Sequence, residues 1–380
     1  MLFVQTEKLK TGMRLAKPIY NKNGVMLYER DSKLTSQGIV SIHNFGLIGV
    51  YILEPAEPVP PMTEDDIEFE RFQAMAIFTI KEILDQIVEQ KEPKGMYPFA
   101  NQVIKNYGSL NHKINFVQNI RSAEDYCYKH ALNTAILCAL MSKKMNFEFK
   151  KQLDVVVAGI IHDLGNLLVP VALRKKSPLD ITEEDIKKLN TYHFAGYQLI
   201  SRNYDLDPNV RRVAGLGCRD IYHLTQEEEE LDKKIPEVEV LKVASFFDDA
   251  TAMKFGDEPL SEINALRQLL DPDNEFDQKV VQALIDSINI LQPGVCVELT
   301  NGDRGLVIAE GKINVLQPFV LSFRDNQVLN LGEGYVAEEV QIKDIMKTMD
   351  NRHVVDHDLL ANYQGEELHM GQKRQKKFGG

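Results

Sequence analysis

Three histidines and one aspartate carry the chemistry open to this sequence: His130, the adjacent pair His162-Asp163, and His193. The pair closes an apolar run, Val155-Val156-Val157-Ala158-Gly159-Ile160-Ile161, and is followed by Leu164-Gly165. An imidazole and a carboxylate at the end of a buried run each need a partner. A divalent metal would satisfy both, because imidazole nitrogens and carboxylate oxygens are good ligands for first-row metals. Such an ion acts as a Lewis acid and lowers the pKa of a bound water. Alternatively, His162 and Asp163 form a satisfied pair that ties two helices together.

Three helices must position these groups. Residues 124–145 read as a helix, since Ala131, Leu132, Ala135, Ile136, Ala139 and Leu140 recur with a period near 3.6. His130 lies close to that apolar face. Residues 152–164 are apolar nearly all round, which marks the central helix of a bundle. Gly165 reads as its stop. Residues 182–201 form the third helix, with Thr182 as N-cap and Asp185 in place of the usual Glu or Gln of a capping box. Leu189, His193, Tyr197 and Ile200 share one face, so His193 points inward. It is either a ligand or a core imidazole wrapped by Tyr192 and Tyr197.

His130, His162-Asp163-Leu164-Gly165, Pro170, Leu173 to Lys176, Leu179, Thr182, Glu183 and His193-x-x-Gly196 together resemble the HD superfamily of metal-dependent phosphohydrolases. Within it they resemble the HD-GYP group, which hydrolyses cyclic di-GMP. The resemblance covers roughly residues 115–285. It implies a metal site of His130, His162, Asp163 and His193, with His162 and Asp163 at the catalytic centre. The implied ion is iron, manganese or zinc, and the occupancy is one ion or none. The pattern also departs from the family. Asn166 stands where members have a Lys, and Asn cannot supply its charge. Gly215-Leu216-Gly217-Cys218-Arg219-Asp220-Ile221-Tyr222-His223 replaces the segment with the paired histidines and Gly-Tyr-Pro signature. Cys218 and His223 are the alternative ligands there. Ser245 stands at the place of a late metal aspartate, and Asp248 matches a second family aspartate. Asp248 and Asp249 either orient a ligating histidine or form a helix-surface pair. Lys175, Lys176 and Arg219 are the nearest cations for a phosphate.

Composition narrows the function classes. The chain has 380 residues, 44% hydrophobic and 26% charged, ordinary for a soluble protein of two or three domains. A net charge of −12 argues against a nucleic-acid backbone binder. Four cysteines without paired spacing argue against structural disulfides and a zinc ribbon. No apolar stretch reaches 18 residues, and the first residues do not read as a signal peptide, so a cytoplasmic location without a membrane span is expected.

The expected fold is mainly α: an HD-type helical bundle flanked by a small N-terminal α/β module and a small C-terminal antiparallel β module. Residues 1–55 read as the first module, with a hairpin over 14–28, a helix from Thr35 to His43 and a last strand over 46–52. Prolines at 55, 58, 60 and 61 make 56–64 a linker. The helical domain spans 65–291. It opens with a long helix to about Glu89, then a helix pair over 99–121, and closes with helices over 235–252, 262–270 and 277–291. An acidic run, Thr225 to Asp232, reads as a solvated loop or helix end. Residues 293–348 switch to strand period, and 365–380 form a basic, flexible tail.

Three functional readings follow. The first is a diverged, active phosphodiesterase. The second is a catalytically silent relative that senses a cyclic dinucleotide, or signals through a second copy or another protein. The third is a structural bundle without a ligand. The departures at Asn166, Ser245 and the lost signature favour the second over the first. The four retained polar groups count against the third.

Overall fold

The computed structural model describes residues 2–20, 25–53, 63–203, 205–224, 234–255, 258–311 and 314–346. The expected acidic run at 225–232, the flexible tail and all of the linker except Thr63 and Glu64 lie outside the described residues. The chain divides into two compact units, Met1–Asn289 and Ile290–Gly380. The N-terminal strands and the helical bundle therefore share one unit.

That unit begins with strands β1 (Leu2–Gln5), β2 (Arg14–Leu15), β3 (Ile19–Tyr20) and β4 (Met26–Tyr28), helix α1 (Ser36–Asn44) and strand β5 (Gly49–Leu53). β5 pairs antiparallel with β1 and β2, and β3 with β4 forms the hairpin. Thr35 caps α1 through its side chain, as its position suggests. Val4, Leu15, Ile19, Leu34, Ile42 and Val50 fill a small core between sheet and helix.

The bundle follows, with helices α2 (Glu64–Val88), α3 (Met96–Asn106), α4 (Tyr126–Lys144), α5 (Phe149–Ile161), α6 (Leu164–Leu168), α7 (Val171–Arg174), α8 (Glu183–Ser201), α9 (Pro208–Ile221), α10 (Pro236–Thr251), α11 (Glu262–Leu270) and α12 (Gln278–Ile285). α4 and α5 form its centre. Every residue from His130 to Ser142, and from Asp154 to Gly165, is buried. Each Val, Leu or Ile fully buried there contributes about 1.5–3 kcal/mol.

The second unit is a five-stranded antiparallel sheet in the order β10-β6-β7-β8-β9. Its strands are β6 (Cys296–Leu299), β7 (Arg304–Ala309), β8 (Phe319–Ser322), β9 (Val328–Asn330) and β10 (Ile342–Ile345), with a short helix α13 (Gly334–Glu339). The last strand and this helix carry too little apolar pattern to be read from sequence.

Three expectations need correction. Gly165 does not stop a helix. α5 ends at Ile161 with His162 as its C-cap, and Gly165 lies inside α6. Its missing side chain serves a crossing instead. A Cβ on Gly165 would sit 2.7 Å from His193 Cα, and one on Gly196 would sit 2.2 Å from Gly165 N. The backbones of α6 and α8 therefore touch, which sets Asn166 beside His193.

Secondly, the helix pair over 99–121 is only α3. Residues 113–122 carry no helix, because their backbone pairs elsewhere: Ile114 N–H donates to Ser287 O (3.1 Å) and Ile48 N–H to Arg121 O (2.9 Å). Thirdly, the closing helix stops at Ile285 rather than 291, because Asn289 N–H turns to Ile114 O (2.9 Å). The Thr182–Asp185 capping box, by contrast, is complete in both directions.

The α6–α8 crossing gives a stability test. Gly196→Ala is expected to cost about 2–3 kcal/mol through backbone overlap, measured by urea denaturation. A loss below about 0.5 kcal/mol would contradict the crossing.

Candidate functional site

Asp248 anchors one half of the site. It projects from α10 and is fully buried. Arg121 Nη2 donates to both of its oxygens at 2.7 Å. Gln118 Nε2 (3.0 Å) and Asn133 Nδ2 (2.8 Å) donate to Oδ1, and His130 Nδ1 lies 2.7 Å from Oδ2. Burial alone would raise the Asp248 pKa, but the Arg121 charge and the His130 hydrogen bond hold it well below the usual carboxylate range. Asp249, its neighbour, is bound separately by Tyr126 (3.0 Å) and Lys254 (2.7 Å).

A carboxylate only accepts, so His130 Nδ1 carries a proton and Nε2 faces inward. Burial opposes its charged form, yet the Asp248 hydrogen bond and charge outweigh burial and raise the His130 pKa. His130 Nε2 lies 3.3 Å from His162 Nε2. His162 sits at the end of α5 with Nδ1 on the Gly159 carbonyl (2.9 Å), so Nδ1 is the protonated nitrogen and Nε2 an acceptor. Burial, then the charge of His130, lowers the His162 pKa to about 3. The third member is the Ser245 hydroxyl, 3.1 Å from His162 Nε2 and 3.2 Å from His130 Nε2. The Ser245 O–H stands within donating distance of the His162 Nε2 lone pair.

Asp163 and His193 form the other half. The Tyr222 hydroxyl and Asn166 Nδ2 (2.8 Å) both donate to Asp163 Oδ1. Asn166 Nδ2 also reaches the Tyr222 hydroxyl (2.9 Å), while its Oδ1 lies 3.0 Å from His193 Nε2. The Tyr222 ring stacks on His193, with centroids 3.8 Å apart. The aromatic wrapping of His193 thus comes from Tyr222, rather than from Tyr192 and Tyr197. Burial raises the Asp163 pKa despite these donors, and burial lowers that of His193 to about 4.

The four candidate ligands therefore fall into two hydrogen-bonded sets. Two ligands of a tetrahedral ion with bonds near 2.1 Å stand about 3.4 Å apart, so the His130 and His162 nitrogens have a suitable separation. The third group on them is a neutral hydroxyl, and Asp163 and His193 are turned to Asn166 and Tyr222. Among the described residues, no three of His, Cys, Asp and Glu gather into a group able to hold a metal ion. This donor set does not fit the three protein ligands that such an ion requires. Cys218 is buried, and burial followed by the Asp163 charge pushes its thiol up to about 12.

The three cations proposed for phosphate are placed differently. Lys176 Nζ is bound to Asp185 Oδ2 (2.6 Å), the capping carboxylate of α8. Arg219 is paired with its neighbour Asp220 (3.0 Å), and Lys175 is exposed.

Sequence reasoning did not nominate Arg121, Gln118, Asn133 or Tyr222 for the site. One signal was present for the first two. Gln118-Asn119-Ile120-Arg121 is a polar run entering the most buried helix, and its groups had to find partners inside. Nothing local marks Tyr222, whose partner Asp163 is on another helix.

Comparison with known proteins matches residues 116–280 to the HD domain family. The cyclic di-GMP phosphodiesterase PdeB of Borreliella burgdorferi is 23% identical over 201 residues, 52% of this chain and 52% of that protein. The cyclic di-GMP phosphodiesterase PA4108 of Pseudomonas aeruginosa is 20% identical over 212 residues, 54% of this chain and 49% of that protein. The chain thus spans about half the length of these curated relatives. Among solved structures, Bd1817, an HDG"Y"P protein from Bdellovibrio bacteriovorus, aligns with a TM-score of 0.42 at 13% identity, covering 75% of this chain and 98% of that one.

Asp248→Asn removes the charge that balances Arg121 and leaves a guanidinium buried. The expected loss is about 3–5 kcal/mol, read by equilibrium denaturation. A loss under about 1 kcal/mol would show that Arg121 is hydrated rather than paired.

Proposed function

This chain belongs to the HD superfamily as a protein of HD-GYP type, and on that premise we propose that it is a degenerate member. It acts in cyclic-dinucleotide signalling as a sensor or regulator, with weak or no phosphodiesterase activity, and it works in the cytoplasm through a second copy or another signalling protein. The observation that carries this reading is the Ser245 hydroxyl in contact with both inward-facing imidazole nitrogens. The hydroxyl contacts both nitrogens, can donate its one proton to either, and adds none of the negative charge that would favour a divalent cation. The engagement of Asp163 by Tyr222 and Asn166 supports the same reading. The names of PdeB and PA4108 motivate the choice of cyclic di-GMP as ligand.

The active reading keeps one observation in its favour, the metal-compatible separation of the His130 and His162 nitrogens. In that case His130, His162, Asp163 and His193 would hold the ion after rearrangement, and the ion would supply an activated water.

Calorimetric titration with cyclic di-GMP, alongside chromatography of the reaction mixture, separates the readings. Saturable binding in the micromolar range, near −8 kcal/mol, is expected. Turnover is expected to be no faster than in a His162→Ala, Asp163→Ala variant with manganese, iron or zinc supplied. Turnover abolished by that variant would establish the enzyme. Neither binding nor turnover would leave a structural bundle.

A further inference from the structure

We propose that a cavity between the N-terminal strands and α2 is a second ligand site, which takes a small organic anion with an apolar body and meets its charge with Lys17. The inference goes beyond the function proposed above and does not depend on it.

The cavity measures about 730 Å³, within the range of small-molecule sites. Residues 17–20, the end of α1, the middle of α2 and the chain from 117 into the first turn of α4 wall it. All of these lie in the first compact unit. Ile19, Leu47, Ile77 and Ile120 give it apolar walls. Phe45 and Phe78 also line it, yet they are 42% and 37% exposed, so the chain leaves aromatic surface there for another molecule to cover. His130, His162, Asp163 and His193 are not in the lining. Gln118 borders both places, since it lines the cavity and its Nε2 donates to Asp248.

Charge decides which kind of molecule fits. Lys81 and Lys129 line the cavity, but each already holds a carboxylate at 2.6 Å, Asp85 and Asp125 respectively. Glu70 is paired with Arg30 at 3.3 Å, and Glu124 is exposed. Lys17 differs. It is half-buried, and among the described residues no carboxylate lies within 4 Å of its Nζ. Its ammonium donates to the Gln118 carbonyl (2.9 Å) and stands 4.3 Å from the centroid of the Tyr51 ring. An ammonium has three N–H donors, and the chain accepts from one. Burial lowers the Lys17 pKa to about 8 against the pull of Glu70, as expected of a charge short of compensation. A cation in this state, beside uncovered aromatic surface, is complementary to one anionic group on an apolar frame.

The test uses the full chain and two fluorescent probes. One is 8-anilinonaphthalene-1-sulfonate, an aromatic body with a single anionic group. The other is N-phenyl-1-naphthylamine, the same body without the charge. Both are titrated into the parent, Lys17→Met, Ala74→Trp on the α2 wall of the cavity and, as a control, Lys143→Met at the exposed far end of α4. Lys17→Met is expected to weaken the sulfonate probe at least about tenfold, the worth of one charge-assisted hydrogen bond, and the neutral probe by under about twofold. Ala74→Trp fills the space and is expected to weaken both, while Lys143→Met changes neither. Thermal melting checks the fold, and Lys17→Gln or Ala74→Leu replaces a variant that melts early. Sulfonate binding within about threefold of the parent in the Lys17 variant would overturn the role of Lys17. Unchanged binding of both probes in the Ala74 variant, or no binding of the sulfonate probe to the parent, would overturn the site. None of these results bears on cyclic di-GMP binding, which is titrated separately.

Discussion

The buried carboxylate of Asp248 is the constraint on which the site depends. A charge with no solvent contact must be balanced and hydrogen-bonded where it stands. Here the balance comes from Arg121, and the remaining acceptor positions go to Gln118, Asn133 and His130. These groups join α10, α4 and the helix-free stretch before α4. That stretch also carries the N-terminal sheet, because Arg121 O accepts from Ile48 N–H and Gln118 O from Lys17 Nζ (2.9 Å). One carboxylate thus fixes the His130 ring and the seat of the first fifty residues together.

The two halves of the site follow from this anchoring. His130 is held in the tautomer that turns Nε2 inward, and the Gly159 carbonyl does the same for His162. Two inward nitrogens then need something between them. In this chain the something is the Ser245 hydroxyl, which adds a proton rather than a negative charge. The Gly165–Gly196 contact places Asn166 between Asp163 and His193, and Tyr222 covers both. Each candidate ligand is thereby satisfied by a neighbour of the same chain, which lowers the driving force for any ion to displace them.

Much of this was legible in the sequence. Apolar period located α4, α5 and α8 to within three residues, and Thr182 with Asp185 marked the start of α8. The family resemblance, which sets a metal aspartate and a lysine at these places, marked the missing charge at Ser245 and Asn166. The rest depends on contacts that no local pattern encodes. Arg121 and Asp248 are 127 residues apart, and Tyr222 and Asp163 are 59 apart. Gly165 resembled a helix stop because a glycine needed for backbone contact and one needed for chain reversal look the same in a string. The stretch over 113–122 lost its helix to pairing with distant backbone, a tertiary outcome that overrides local preference.

The candidate ligands of this site find their partners among one another and their neighbours in the chain. Metal content after incubation with manganese, iron or zinc and desalting, measured by plasma mass spectrometry in the parent and in Ser245→Asp, tests it most directly. The parent is expected to retain well under one equivalent and Ser245→Asp, where a carboxylate joins the two imidazoles, clearly more. A full equivalent retained by the parent and lost in a His162→Ala, Asp163→Ala variant would contradict it.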